Sequence, residues 1–536
     1  MSHFCDAIVG TLLNIPGKTK DGVKARRDMA KMGRPELAPI EKGSRYYLPP
    51  ASYTLSKKEK TSLCESLHNL KVPAGYSSNF RNIVSIKDLK LVGMKSHDCH
   101  VLMQQLLPVA IRGILPAEVR YTITRLCVFF NTISSKVIDP RILDPLQAEV
   151  IETMCRFQMY FPVSFFDIMP HLIIHLVREI KLCGPVCLRS MWPFERGMKP
   201  LKLKTVNPAK PEASIVHRHV AEELGAWCST YLAHTQQIGL PKSRHVGRLL
   251  GQGTIGRKRI SLDVEMMLTL EFFVLQNLSE VHPYMDEQRT PIKSQNPSRN
   301  DRELVNMHNK TFVSWFKKRV MVELSNTPND VSDTLRWLAY GCKGLVASYE
   351  GYDMNGYSFY TKRQDDKSTM QNSGVTVMAL SYEFTSAKDR TPVEKSMPYY
   401  GQIEDILELD YIDFKVPLFK CKWADKTRGV KKDQHGFLTL VNLSRPGHRG
   451  DPYIMASQAK QVFYMADPVD HSWSVVLQGK RRILGIDGVD DEEEYDEQFN
   501  ESVPSSFDIP TTVVDNVTTF RRQDHDEGIF VNRDKV

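Results

Sequence analysis

Two pairs of histidines and one glutamate have the types and spacing to do chemistry. His171 and His175 stand four apart in His171-Leu172-Ile173-Ile174-His175. On a helix that spacing puts both imidazoles on one face, where they can share a metal ion. Upstream, His97-Asp98-Cys99-His100 supplies two more imidazoles. Together His97, His100, His171 and His175 could complete a four-coordinate structural zinc site, with Cys99, Cys183 and Cys187 as alternative ligands. The same residues also suit helices of mixed polarity that bind nothing, because no tight Cys-x-x-Cys pair anchors the set. The carboxylate is Glu195, in Trp192-Pro193-Phe194-Glu195-Arg196-Gly197-Met198-Lys199. Pro193 suits a first helical turn, which places Glu195 near a helix N-terminus. Arg196, Lys199, Lys202 and Lys204 follow and could hold DNA phosphates beside a metal-bound carboxylate. Two-metal phosphodiester chemistry needs several carboxylates converging on one point. A lone glutamate among cations therefore also reads as a solvated, ion-paired helix.

A third motif is Gly251-Gln252-Gly253-Thr254-Ile255-Gly256, which fits the dinucleotide-binding fingerprint letter for letter. That fingerprint works only between a strand and a helix that opens on its last glycine. Here Arg257-Lys258-Arg259 follows it, so 236–262 reads as a Gly-rich, basic linker.

The elements that must position these residues fall into two textures. From 46 to about 240, apolar residues recur at helical spacing, most clearly in 101–135 and 144–182, punctuated by prolines. Residues 263–335 read as a helical connector. Beyond 340, short alternating segments take over. Asn355-Gly356 sits between Gly351-Tyr352 and Tyr357-Ser358-Phe359-Tyr360, as a two-residue hairpin turn requires. Further strands are expected at 375–384, 410–422, 437–443, 461–465 and 473–478. The acidic run at 487–497 opens a polar segment, 481–536, which reads as a disordered tail. The expected fold class is thus α+β and multidomain, with a mostly helical N-terminal half and a small antiparallel β-rich domain over 340–480.

Composition narrows the setting. The 536 residues carry a net charge of +8, and the acidic run leaves the body more basic than that total. A basic body favours a polyanion through counterion release. No apolar stretch is long enough to span a membrane, and no signal peptide opens the chain. Ten scattered cysteines read as reduced thiols, as expected of an intracellular, nuclear protein.

Several long, irregular blocks resemble the C-terminal portion of plant CACTA-type (En/Spm) transposases. They begin with Gly10-Thr11-Leu12-Leu13-Asn14-Ile15-Pro16-Gly17-Lys18-Thr19-Lys20-Asp21 and Gly93-Met94-Lys95-Ser96-His97-Asp98-Cys99-His100. The glutamate block, Glu280-Val281-His282-Pro283-Tyr284, Gln371-Asn372-Ser373-Gly374-Val375 and Phe414-Lys415-Val416-Pro417-Leu418-Phe419-Lys420-Cys421-Lys422-Trp423 follow in the family's order. The resemblance implies two domains of unknown function at about 90–235 and 395–470, after an RNase H-like module using three acids and magnesium. Residues 1–45 would be a remnant of that module and 46–235 would include its helical insertion. The principal aspartates would lie upstream, leaving the magnesium site incomplete and some apolar surface of the helical half exposed. A distant likeness to the antigen-receptor recombinase places a zinc-binding histidine pair about twenty residues before a last catalytic glutamate, as His175 precedes Glu195.

The function expected is that of a transposon-derived remnant that binds DNA weakly and cuts nothing. A protein-interaction module acting through 340–480 is an alternative, as is a subunit whose missing acids come from another chain. The sequence leaves the oligomeric state open.

Overall fold

The computed structural model describes residues 1–135, 137–189, 191, 194, 198, 201–231, 251–295, 300–327, 331–383, 393–448, 450–483, 492–494 and 520–533. The chain is α+β, with helices dominating the first half and antiparallel sheet the second. It divides into two units that interleave in sequence. The first comprises Met1–Val246, Val430–Asn442 and Phe463–Val536, and the second Gly247–Gly429 and Leu443–Val462.

The first unit is built on the apolar periodicity of its helices. Helix Ser2–Leu12 buries Phe4, Ile8 and Leu12 on one stripe. Phe4 meets Phe130, Phe157 and Phe165 edge-on, with centroids 6.2, 6.1 and 5.1 Å away, the favoured aromatic geometry. Those partners come from helices Ala117–Ile133 and Leu143–Tyr160 and the turn Val163–Phe165. Pro108 has no N–H to donate back along its helix, and the preceding residues Leu102–Leu106 widen into a π turn. The core closes over residues 4 to 180 and takes in Leu440, Phe463, Trp473 and Val475 from late in the chain. Apolar side chains left uncovered concentrate on helix Pro211–Tyr231, where Val216, Val220, Leu224 and Trp227 are each more than half exposed.

The described residues resume at Phe520, and over 520–533 the disordered-tail reading of 481–536 is corrected. Strand Ile529–Asn532 pairs antiparallel with Arg45–Leu48, which pairs in turn with Ile40–Lys42. An ion pair fixes this return. Arg522, only 3% exposed, donates to Glu59 Oε1 and Oε2 at 2.8 and 2.9 Å and to the Thr54 carbonyl at 3.1 Å. Glu59 is also the reciprocal partner of Ser56 in the capping box of helix Lys57–His68, and it accepts the Leu115 N–H at 3.1 Å. Burial alone would raise its carboxyl. The Arg522 guanidinium and the Ser56 and Leu115 N–H groups outweigh that and hold it below its ordinary range.

In the second unit, helices Val264–Gln276, His282–Gln295, Asp301–Asn326 and Asp333–Tyr340 share a core with the inner residues of the sheet. The sheet is organised by Val393–Asp410, which pairs with Gly374–Glu383, Lys415–Ala424 and Leu345–Tyr349. Strand Lys460–Ala466 gives its first residues to this unit and the rest to the first. The Asn355-Gly356 hairpin forms as expected, both residues at positive φ (51° and 81°). The linker reading of 236–262 is corrected where the residues are described. Gln252–Ile255 and Lys258–Ser261 are strands, paired with Gly351–Met354 and Leu345–Tyr349. A Cβ on Gly253 would lie 2.0 Å from the Tyr349 ring, so that glycine lets two strands approach across a tyrosine and cradles no phosphate.

Two predictions follow from these packings. Glu59→Gln leaves Arg522 with Asp524 as its remaining carboxylate and should destabilise the first unit by about 2 kcal/mol. It should also release Phe520–Arg533, read as faster C-terminal hydrogen exchange. In the wild type the same release should appear as pH falls through the depressed Glu59 pKa, because a lowered carboxyl contributes stability only while ionised. In the second unit, His308 is 2% exposed and neither ring nitrogen has a partner among the described residues. Burial pushes it down to about 4, so below its ordinary value the unfolded chain takes up a proton that the folded one refuses. Stability should fall by roughly 3 kcal/mol between about pH 6.5 and 4. His308→Leu should flatten that dependence in urea titrations across the range.

Candidate nucleic-acid and metal-binding residues

The glutamate block is described only in part. Glu195, Arg196 and Lys199 lie outside the described residues, while Phe194 and Met198 are exposed. Lys202 and Lys204 precede helix Pro211–Tyr231, and the structure gives them different environments. Lys204 is largely covered, with its Nζ 2.7 Å from Glu222 Oε2 and 3.1 Å from His219 Nδ1. The hydrogen bond from Lys204 holds the Glu222 carboxyl below its ordinary range. Arg218 donates to the Leu203 carbonyl at 3.3 Å, which ties the same turn to the helix. Lys202 is exposed and pairs with no carboxylate among the described residues. Of the two, Lys202 is the one whose charge is available to a phosphate.

The histidines separate into two environments. His171 lies within helix Ile168–Ile173, while His175 occupies the N-cap position of helix Leu176–Cys183, so their four-residue spacing crosses a helix break. The break still brings them together. Their Nε2 atoms are 3.2 Å apart with the rings edge to face, both exposed. This pair can share a proton or present two nitrogens to one cation. Asp167 caps the first helix and is ion-paired with Lys20 at 3.2 Å, which fixes the approach of that segment.

His97 and His100 lie on helix Ser96–Val101, whose first turn is held by buried Asp98 accepting the N–H of Ser78 and of Lys95. The His97 Nε2 is 3.1 Å from the Tyr76 carbonyl. His100 is half-buried and pushed down to about 4 by desolvation, so it is neutral at physiological pH. Cys99 is buried beside Cys5, whose hydrogen bond lowers its thiol. Among the described residues, no three His, Cys, Asp or Glu side chains converge as metal ligands do. No described helix is long and apolar enough to cross a membrane.

Motif reading missed a second cationic set: Lys42 and Arg45 beside Tyr47 and Phe530. Its strands come from opposite ends of the chain, and short β segments flanked by glycine carry no motif.

The contrast between the two lysines is testable. Lys202→Ala should weaken duplex retention and reduce the slope of log affinity against log salt by about 1. Lys204→Ala should leave that slope unchanged, because its charge is already matched by Glu222. Equal slope changes in fluorescence anisotropy would contradict this assignment.

Two family models match the chain, both described as domains of unknown function. DUF4218 matches residues 133–245, and DUF4216 matches 407–476. The first match contains His171, His175, Glu195, Lys202 and Lys204, and starts later than the expected 90–235. The second covers strand Lys415–Ala424 and runs on to Ser474–Gln478, close to the expected 395–470. No match emerges among curated proteins or among solved structures. The chain thus carries, in this order, two domains of unknown function of a kind typical of plant transposase-like proteins.

Proposed function

We propose that this protein is a transposon-derived, nuclear DNA-binding protein of CACTA-type ancestry, holding DNA through phosphate contacts and not cutting it by itself. The observation that carries this reading is the succession of the two matched domains, with the irregular blocks around Gly10–Asp21, His97–His100 and Trp192–Lys199 in the family's order. The net positive charge and the unpaired Lys202 support a polyanion partner. Within the resembling blocks Glu195 is the one candidate for a metal-binding carboxylate, and one carboxylate does not assemble a two-metal site. A structural zinc on the histidines is part of the proposal. His171 and His175 would supply two nitrogens, with the remaining ligands drawn from His97 and His100 or from outside the described residues.

One preparation of the full chain tests both parts, by metal analysis and by nicking of supercoiled DNA with magnesium. The expected result is zinc that is lost on replacing His171 and His175 by alanine, with no nicking at any magnesium concentration. Zinc retained by the double variant would remove the histidine assignment. Nicking abolished by Glu195→Gln would overturn the non-cutting reading.

A further inference from the structure

The three-stranded sheet Ile40–Lys42, Arg45–Leu48 and Ile529–Asn532 presents one face on which aromatic rings and cations alternate. Residues directly opposite across antiparallel strands share a face. The register pairs Ile40 with Tyr47 and Tyr47 with Phe530, and Lys42 with Arg45. Leu48, one residue on from Tyr47, is fully buried, so the Tyr47 face points away from the core.

On that face the Tyr47 and Phe530 rings lie 5.2 Å apart, with Phe530 52% exposed and Ile40 47%. Lys42 Nζ stands 4.3 Å from the Tyr47 ring centre, and the Arg45 guanidinium 5.3 Å from that of Phe530. Neither cation pairs with a carboxylate among the described residues. The nearby acids are already engaged: Glu41 by Arg533 at 2.6 Å, Asp526 by Arg521 at 2.7 Å, and Glu527 by the Lys57 N–H at 2.6 Å. The face therefore offers positive charge without its counter-charge, beside exposed π surface.

We propose that this face binds single-stranded nucleic acid, with bases stacking on Tyr47 and Phe530 and phosphates meeting Lys42 and Arg45. Charge complementarity selects a polyanion. The rings select unpaired strands, because the π faces of a duplex are stacked on one another and unavailable, whereas every unstacked base offers one. The proposal rests on the reading that the chain handles nucleic acid, but it uses none of the residues around Glu195 and Lys202. It also gives the C-terminal return a role, since Phe530 reaches the face only through strand Ile529–Asn532.

The test is anisotropy of the full chain with short labelled oligodeoxythymidine, with oligouridine, and with a duplex hairpin. Phe530→Ala should weaken single-strand binding about tenfold and Phe530→Tyr should restore it. The double variant Lys42→Ser with Arg45→Ser should lower the single-strand salt slope by about 1.4. Both changes are at exposed positions, and an unshifted melting midpoint verifies the fold. Duplex binding that persists while single strands go unbound, or single-strand affinity unchanged in all three variants, would overturn this proposal and leave the duplex reading standing. Absence of binding to any of the probes would overturn both.

Discussion

The contact between Arg522 and Glu59 ties the C-terminal return of the chain to the helical body of the first unit. One carboxylate closes the capping box of helix Lys57–His68, accepts the Leu115 N–H and receives a two-pronged guanidinium from 463 residues away. Each of those donors would be costly to leave unmet in a buried setting. Strand Ile529–Asn532 follows a few residues after Arg522, so the ion pair also sets where the third strand of the aromatic sheet can lie. A buried pair of this kind is weak evidence for net stability but strong evidence for a specified arrangement, because Arg522 is held by Glu59 and Asp524 together.

The second unit solves a similar problem by different means. Its helices meet the sheet through an apolar core, and buried carboxylates such as Glu271 and Glu408 are paired with lysines. Buried Glu271 accepts Lys317 at 2.7 and 2.9 Å and the Cys342 N–H at 3.1 Å, which ties helix Val264–Gln276 to the turn after Asp333–Tyr340. Burial beside Glu271 pushes the Cys342 thiol up to about 12, so this cysteine is an inert packing residue. His308 breaks the pattern, lying beside Phe272 and Phe312 without a hydrogen-bond partner among the described residues.

The chemistry suggested by the chain is spread over sites that share little structurally. The histidine pair spans a helix break, with His171 in helix Ile168–Ile173 and His175 at the N-cap of Leu176–Cys183. Lys202 and Lys204 are two residues apart, yet one faces solvent and the other is neutralised by Glu222. Charge counted along a sequence therefore overstates what a phosphate can reach.

What the sequence determined by itself was everything that local periodicity or turn chemistry dictates. The long helices 117–133 and 143–160, the Asn355-Gly356 hairpin and the change from helix to sheet near 340 all follow from short-range patterns. The quoted blocks likewise carried the family resemblance, because they are linear text. Tertiary structure alone decided the strand character of 252–261, where Gly253 is required by a tyrosine roughly a hundred residues away in the chain. It alone decided the interleaving of the two units, the pairing of Arg522 with Glu59 and the joining of Phe530 to Tyr47. The physical reason is common to all of these. Such contacts depend on which segments meet in space, and nothing in the local propensity of either segment encodes the identity of a distant partner.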